Sequence, residues 1–284
     1  MKILYVGDIT GKLGRETAKS FLPGVIKETS ADFVIAQGEN VSHGKGLQPS
    51  HADDLEKSGV DWFTGGNHSL SRTDALNRPN VIRPANLGEN IPGKGHAIVD
   101  TPFGKALIVS LQGQVVGIDS GKQIDNPLST IDKILEYNKN ESLVATIVNF
   151  HGDYSSEKVV IGQYLDGRVT AVIGDHWHVP TADAQVQPKG TAHISDVGMV
   201  GALDSSLGVK TEIITQRWQQ PDVRIRNEME ENGRRQFNAV IIDVDTKTGL
   251  AKSIDLIRKI ADWSIGIVAK KCIRILRIFT FIKA

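Results

Sequence analysis

Five short segments of the sequence concentrate residue types that bind metal ions. Each segment follows an apolar run, and four of the five begin at a glycine, which permits a sharp turn or a close approach to a ligand. Hard divalent cations prefer carboxylate and amide oxygens, whereas imidazole suits iron, manganese and zinc. A mixed set of this kind predicts a site for two metal ions. The segments are Gly7-Asp8, Gly38-Glu39-Asn40, Gly66-Asn67-His68, Phe150-His151 and Gly174-Asp175-His176-Trp177-His178.

Such a pair of ions predicts hydrolysis of a phosphoester. Two ions roughly 3.5 to 4 Å apart, bridged by one carboxylate, lower the pKa of a shared water, and the resulting bridging hydroxide attacks phosphorus. His68 directly follows the expected ligand Asn67, so we expect it just outside the set of ligands. A free imidazole with a pKa near ~6.5 can protonate the departing alkoxide, which predicts that His68 is the acid.

The pair His176 and His178 has a spacing that fits a strand end or a turn, where residues i and i+2 share a side. A single Gly-Asp turn or a single His-x-His pair is common without any function, so the prediction depends on the whole set. The remaining histidines are expected on the surface or in the core, with His43 the strongest exception because it lies near Glu39 and Asn40. These histidines are His43, His51, His96 and His193.

Composition excludes several classes of protein. The 284 residues include 33 basic and 33 acidic residues, so no basic excess indicates non-specific binding to a nucleic-acid backbone. Cys272 is the single cysteine, which excludes a disulfide within the chain and leaves His, Asp, Glu and Asn as metal ligands. The apolar run at 3–6 is too short for a signal peptide, and we expect a cytoplasmic location.

The elements that position these residues are predicted to alternate between strands and helices, as in an α/β protein. Ligands of such sheets gather beyond the carboxyl ends of the strands. A pair of late strands, at 237–243 and 253–258, is expected to follow. The earlier strands are predicted at 3–6, 33–36, 62–64, 106–111, 144–150 and 170–173, and the helices at 14–22, ended by Pro23, at 49–58 and at 128–137.

The last segment of the chain differs from the rest, because residues 264–284 are apolar and basic and contain no acid. Four basic residues interrupt the segment, so it lacks the ~20 apolar residues that a membrane helix needs. We expect an element that docks on the core or on a partner subunit, and we keep a membrane-surface segment as the alternative. The predicted domains are a metallophosphoesterase domain at 1–262 and a tail at 263–284.

With these motifs, the chain resembles the calcineurin-like metallophosphoesterase superfamily, and within it the bacterial YmdB type, which acts on 2′,3′-cyclic nucleotides and related phosphodiesters. The resemblance implies a four-layer sandwich of two packed mixed β-sheets flanked by helices. It extends to about residue 260. Further motifs that carry it are His43-Gly-Lys-Gly46, Arg83-Pro-Ala-Asn86, Pro92-Gly-Lys-Gly95, Leu111-Gln-Gly113, Ser156-Glu-Lys158 and Asp196-Val-Gly-Met199.

The resemblance also implies a role for each residue of the set. Glu39 would bridge two divalent ions, with iron or manganese favoured and zinc compatible, and His68 would be the acid. Asp8, Asn40 and His178 would complete one metal site, and Asn67, His151 and His176 the other. Thr10 and Glu39 differ from the wider superfamily but agree with the YmdB type. Asp175 and Trp177 replace threonines expected around His176, and the larger Trp177 is expected to change the shape of the substrate entrance.

Two other functions are compatible with parts of the pattern. A regulatory protein could hold a nucleotide or an RNA end with slow turnover, and Trp177 stacked on a base would suit that function. A metal-dependent amidohydrolase also uses His-x-His, but normally after its first strand, where this chain has Asp8. The expected partners are a phosphodiester or cyclic nucleotide substrate, RNA as an open alternative, and a second copy of the chain through the apolar tail.

Overall fold

Two β-sheets packed face to face form the centre of the fold in the computed structural model, which describes residues 1–88, 90–117 and 124–262. The strands in chain order are β1 Lys2–Val6, β2 Asp8–Ile9, β3 Phe33–Gln37, β4 Trp62–Thr64, β5 His96–Thr101, β6 Gly104–Gln112, β7 Leu143–His151, β8 Ala171–Asp175, β9 Gln185–Val186, β10 Ala192–Ile194, β11 Met199–Ala202, β12 Arg235–Asp245 and β13 Leu250–Ala261. The α-helices are α1 Gly11–Thr29, α2 Pro49–Glu56, α3 Pro127–Tyr137, α4 Ser155–Tyr164 and α5 Thr211–Gln219.

Both sheets are mixed. Within the described residues the first has seven strands in the order β2-β11-β12-β1-β3-β4, with β13 paired to β12, and the second has the order β5-β6-β7-β8-β10-β9. Strands β1, β3 and β4 run parallel to one another, as do β6, β7 and β8. The carboxyl ends of these parallel strands therefore meet at one edge of each sheet.

The alternation of side chains along β1 shows how the layers form. Ile3 and Tyr5 point into the core between the two sheets, whereas Leu4 and Val6 point the other way and pack with residues of α1 and α2. On the far side of the second sheet, residues of β6 and β7 pack against α3 and α4. Because successive side chains of a strand point to opposite faces, each sheet packs on the other sheet with one face and on helices with the other. The layers are therefore helix, sheet, sheet and helix, and the predicted α/β four-layer sandwich is confirmed.

The prediction that Pro23 ends the first helix is wrong, because α1 continues to Thr29 with Pro23 inside it. Proline removes one helical hydrogen bond and usually breaks a helix. Pro23 and Gly24 are exposed, whereas Leu22 and Val25 are fully buried. The missing bond therefore lies on the face that contacts water, while the buried face of α1 keeps its packing on both sides of the proline.

The other predicted elements are confirmed to within a few residues at their ends. The late strand pair forms β12 and β13, joined by a turn over 246–249. Helix α2 ends at Glu56 rather than Ser58, and a turn follows. The sequence did not predict β5, β10, β11, α4 or α5, whose short apolar runs or weak amphipathic patterns give little signal.

Among the helices of the described residues, none is long and apolar enough to cross a bilayer. The predicted tail at 263–284, including Cys272, lies outside the described residues. Its docking, the domain boundary and the cytoplasmic location all stay predictions.

Candidate metal centre

All eight residues predicted to form the site lie together beyond the strand ends. Asp8 follows β1, Glu39 and Asn40 follow β3, and Asn67 and His68 follow β4, whereas His151 is the last residue of β7 and His176 and His178 follow β8. The first sheet thus contributes the carboxylate and amide oxygens, and the second contributes three of the four imidazoles. Five of them, Glu39, Asn40, His68, His176 and His178, line a cavity of about 260 Å³ together with Asp153, Trp177 and Leu207.

One group of ligand atoms forms around His178. Its Nε2 atom lies 3.4 Å from Asn40 Oδ1 and 3.7 Å from Asp8 Oδ1. The Leu207 carbonyl oxygen lies 3.0 Å from His178 Nδ1, and because a carbonyl can only accept, Nδ1 carries the proton. The lone pair of Nε2 therefore faces Asp8 and Asn40, as a metal ligand requires.

A second group forms around His151. Its Nε2 atom lies 2.9 Å from Asn67 Oδ1 and 3.1 Å from Glu39 Oε1. The rings of His151 and His176 meet edge to face, with their centroids 4.5 Å apart. Glu39, His151 and His176 offer ligand atoms that all lie within 4.8 Å of one another. Glu39 thus belongs to this second group, and it lines the cavity together with Asn40 and His178 of the first.

His68 lines the cavity between these groups. Its backbone N–H donates to Glu39 Oε2 over 2.9 Å. This bond connects the start of the short helix Ser69–Ser71 to the candidate metal ligands. The position of the ring at the cavity wall is the one that a proton donor to a bound substrate needs.

The side chains present fit metal ions, as a buried atom without a partner indicates. Asp8 is fully buried, and its Oδ1 atom has no hydrogen-bond partner, an arrangement that costs free energy unless a cation lies nearby. Gly66 packs against the cluster so closely that a Cβ atom there would lie 2.3 Å from Glu39 Oε2 and 2.5 Å from the His151 ring. Only glycine lets the β4 segment approach these two ligands.

The electrostatics of the cluster favour positive charge. Burial lowers the pKa of His151, but the Glu39 and Asp175 carboxylates outweigh burial and raise that pKa well above its ordinary value. Burial raises the pKa of Glu39, but His151 and His68 lower it to about 2. Burial lowers the pKa of His176 and of His178 to about 4. His176 and His178 as neutral imidazoles and Glu39 as an ionised carboxylate are in the states that metal binding requires, whereas the raised pKa of His151 means that metal binding there displaces a proton.

The backbone that presents His176 and His178 is strained. Their φ angles are 105° and 62°, in a region that residues with a Cβ atom rarely adopt. The two imidazoles therefore reach the cavity from a strained turn beyond β8, and not through the regular alternation of a strand. Strain of this kind is retained where the surroundings impose it, often at functional sites.

Asp175 is the residue of the cluster that the sequence prediction did not include among the ligands. It is fully buried, and together with Asp8 and His151 it forms a second group able to hold a metal ion. Its Oδ1 atom lies 2.6 Å from His151 Nδ1. Its Oδ2 atom accepts from Tyr5 Oη over 2.8 Å, from Gln37 Nε2 over 3.0 Å and from Asn149 Nδ2.

Those four donors come from both sheets, so the Asp175 carboxylate joins the sheets beneath the cavity. An ionised carboxylate only accepts hydrogen bonds, so His151 Nδ1 carries the proton and its Nε2 faces Asn67 and Glu39.

Asp153 contacts the cluster from another side, with Oδ1 3.0 Å from His176 Nε2. The sequence signal for Asp153 would have been its position two residues after His151.

The remaining four histidines lie outside the cavity lining, as predicted. His51 Nδ1 lies 2.7 Å from Ser42 Oγ, and His193 is buried with Nδ1 3.2 Å from the Val172 carbonyl. His96 begins β5. His43, the strongest exception on sequence grounds, is exposed in a turn with φ of 56°, so its proximity to the acidic pair in sequence does not bring it into the cavity.

Comparison with protein families gives a match over residues 4–257 to the model described as YmdB-like protein. Among curated relatives, a Bacillus subtilis protein named 2′,3′-cyclic-nucleotide 2′-phosphodiesterase is 36% identical over 262 residues. That alignment covers 90% of this chain and 96% of the relative. The match therefore includes every segment of the predicted site.

Solved structures give the same result for the fold. A crystal structure described as a novel phosphatase from Mycoplasma pneumoniae has a TM-score of 0.85 and 32% identity, covering 93% of this chain and 95% of that one. A 5′-nucleotidase precursor from Thermus thermophilus has a TM-score of 0.54 and 11% identity, covering 92% of this chain and 54% of that one. The second likeness concerns the calcineurin-like fold alone.

Proposed function

The chain belongs to the family of YmdB-like proteins and is a phosphoesterase, and from this premise we propose that it is a dinuclear metal-dependent phosphodiesterase. The proposed substrates are 2′,3′-cyclic nucleotides or related phosphodiesters. One observation carries the proposal: seven candidate ligand side chains converge on a single centre, in which a buried oxygen of Asp8 has no hydrogen-bond partner.

In this proposal Glu39 would be a ligand of both ions. Asp8, Asn40 and His178 would complete one site, and Asn67, His151 and His176 the other, in agreement with the two groups around His178 and His151. The donor set favours iron or manganese, and zinc is also compatible. When bound, two such ions supply a water of lowered pKa and neutralise charge on the phosphoryl oxygens.

The protein's own groups then have separate tasks. Opening a cyclic phosphodiester breaks one bond between phosphorus and a ribose oxygen, and that oxygen leaves as an alkoxide that needs a proton. His68 lines the cavity and is proposed to give this proton from its imidazole. Asp175 holds His151 in the orientation that points Nε2 into the site.

A second candidate function is a regulatory protein that binds a nucleotide or an RNA end at the same centre with slow turnover. The observation that favours it is the indole of Trp177, which lines the cavity beside His176 and His178. Saturable nucleotide binding without a product would support this function over the first. The cytoplasmic location and self-association stay predictions in both cases.

A panel of hydrolysis assays tests the proposal. The purified protein would be stripped with a chelator, reloaded separately with Mn²⁺, Fe²⁺ or Zn²⁺, and assayed on 2′,3′-cyclic AMP, 3′,5′-cyclic AMP and bis(p-nitrophenyl) phosphate. We expect metal-dependent turnover of the first and third compounds. Equal turnover by the stripped and reloaded protein would contradict the proposal, and cleavage of a cyclic amide with no phosphodiester cleaved would instead favour an amidohydrolase.

The contacts of Asp175 predict a loss of metal affinity when this residue becomes Asn. An amide in that place either turns its NH₂ group toward Tyr5, Gln37 and Asn149, which are donors themselves, or turns it toward His151 Nδ1 and favours the wrong tautomer. Changing a partner that orients a metal ligand typically costs about 10- to 100-fold in affinity or activity. We expect that loss for Asp175→Asn in metal titrations by calorimetry and in turnover.

The matched control for this variant is Asp183→Asn. Asp183 also accepts several hydrogen bonds, from Ser195 and Thr181, but it contacts none of the proposed ligands in these interactions. Asp183→Asn should leave metal affinity close to that of the parent protein. Equal metal affinity in Asp175→Asn and the parent protein would show that Asp175 does not position His151.

A further inference from the structure

The residue between the two histidines of the last motif, Trp177, forms part of the cavity wall. Its ring is partly exposed, and it lines the cavity together with Leu207 and the metal-site residues. An indole N–H is only a hydrogen-bond donor, so the side chain can neither transfer a proton near neutral pH nor bind a metal ion. The ring is therefore not accounted for by the chemistry proposed above for its two neighbours.

Three contacts fix the position of the Trp177 ring. Its backbone N–H donates to Asp196 Oδ2 over 2.7 Å, and its Nε1–H donates to the Asp153 backbone carbonyl over 2.9 Å. The ammonium group of Lys158 lies 4.1 Å from the ring centroid. Lys158 is itself fully buried, and its Nζ donates to the Asp175 and Ser195 carbonyls and to Asp196 Oδ2.

This fixation determines what the ring can bind. The only polar hydrogen of the indole is already donated to the protein, and the Lys158 ammonium covers one face of the ring. The ring therefore offers its other face and its edges to a ligand, with no donor left to recognise a sugar hydroxyl. Because the ring is held in place before binding, a ligand that stacks on it pays little entropy for ordering it. A flat aromatic group suits such a surface best.

The rest of the lining agrees with this ligand class. Leu207, which is 49% exposed, adds an apolar surface to the same cavity, and its backbone carbonyl is held by His178 Nδ1. The cavity has a volume of about 260 Å³, and Trp177 and Leu207 form its wall next to the candidate metal ligands Glu39, Asn40, His176 and His178.

We propose that Trp177 is the surface on which the substrate's nucleobase stacks, and that it makes the enzyme prefer nucleoside phosphodiesters over phosphodiesters without a base. The proposal rests on the proposed phosphodiesterase function and adds a residue that determines specificity. The base lies against the indole while the phosphodiester meets the metal ligands on either side of Trp177 in sequence, His176 and His178.

Two cyclic phosphodiesters with the same five-membered ring test the proposal. We would compare 2′,3′-cyclic AMP with glycerol 1,2-cyclic phosphate, which has no base, in the parent protein, Trp177→Ala and Trp177→Phe. For Trp177→Ala, the loss of kcat/KM on the nucleotide should exceed the loss on the glycerol compound by about tenfold or more, mainly through KM, as expected when one base stack is removed. Trp177→Phe should recover most of that difference.

Binding gives a readout that does not depend on turnover. Adenosine 3′-monophosphate, titrated by calorimetry into the metal-loaded protein, should bind Trp177→Ala about tenfold more weakly or worse. The control is Trp218→Ala, since Trp218 is 84% exposed on α5 and does not line the cavity. It should match the parent protein in both measurements.

Equal losses of kcat/KM on the two substrates in Trp177→Ala would overturn the proposal, because they would mean that the ring only supports His176 and His178. No loss on the nucleotide would overturn it as well. If the parent protein cleaved neither compound, the phosphodiesterase function would fail, and the binding of adenosine 3′-monophosphate would still decide the role of Trp177.

Discussion

Replacing Glu39 by Gln is expected to reduce the turnover of 2′,3′-cyclic AMP by more than about 100-fold and to lower the metal content of the purified protein. The change keeps the size of the side chain but removes the charge proposed to serve both metal sites. That carboxylate lies 3.1 Å from His151 Nε2 and accepts from the His68 backbone N–H over 2.9 Å. Losing a residue that only supports a ligand costs about 10- to 100-fold, so losing the bridging ligand should cost more.

Two further observations sharpen this expectation. Glu39 is almost fully buried and ionised, with its pKa lowered to about 2 by His151 and His68 against the opposing effect of burial. A neutral amide therefore leaves the positive charge of the metal ions without one of its closest counter-charges. The control is Glu136→Gln, because that carboxylate is exposed and pairs with Lys139, far from the proposed chemistry.

Glu39→Gln would be assayed by turnover and by elemental analysis of the same preparation. We expect both values to fall in this variant and neither to fall in Glu136→Gln. Retention of most of the metal and most of the turnover in Glu39→Gln would exclude Glu39 as the bridging ligand. Circular dichroism of both variants would establish that the fold is intact.

Replacing His68 by Ala is expected to lower kcat on 2′,3′-cyclic AMP by about 100- to 10,000-fold, the range for loss of a positioned acid. The ribose alkoxide is a poor leaving group and needs the proton. On bis(p-nitrophenyl) phosphate the loss should be much smaller, because p-nitrophenolate leaves without protonation. The dependence of the loss on the leaving group separates an acid from a residue that only holds the metals.

The metal content of His68→Ala should equal that of the parent protein, since the proposal places its imidazole outside the ligand set. His43→Asn is a suitable control, because His43 is exposed and Asn tolerates its positive φ. If His68→Ala lost equal activity on both substrates together with its metal, His68 would be a ligand or a support for one.

The grouping of the candidate ligands could be predicted from sequence because its signal is local. Asp8, Asn67 and His151 each lie at the end of a short apolar run, and parallel strands bring such ends to one edge of a sheet. That rule needs no knowledge of the strand order. Proximity in sequence is a weaker guide, since His43 lies near Glu39 and Asn40 in the chain but is exposed in a turn.

Asp175 and Lys158 could not be predicted in the same way, because their roles come from tertiary contacts. The four donors to Asp175 lie on three different strands of two sheets, and nothing in the sequence around residue 175 indicates them. Lys158 is a buried cation on the weakly patterned helix α4, paired with Asp196. The sequence showed only that Asp175 and Trp177 depart from the expected threonines.

The course of α1 illustrates a different limit. Pro23 is a strong local signal for the end of a helix, but Leu22 and Val25 on either side of it are buried against the first sheet. Packing of that face outweighs the loss of one hydrogen bond on the exposed face. A rule based on one residue type could not weigh these two contributions.

The central claim is that this centre holds two metal ions which phosphodiester hydrolysis requires. Elemental analysis of the purified protein, combined with stepwise reloading of the chelator-treated protein, tests it most directly. The account predicts about two bound ions per chain and turnover of 2′,3′-cyclic AMP that rises only as the sites fill. Full turnover in protein that retains less than one ion per chain would contradict it.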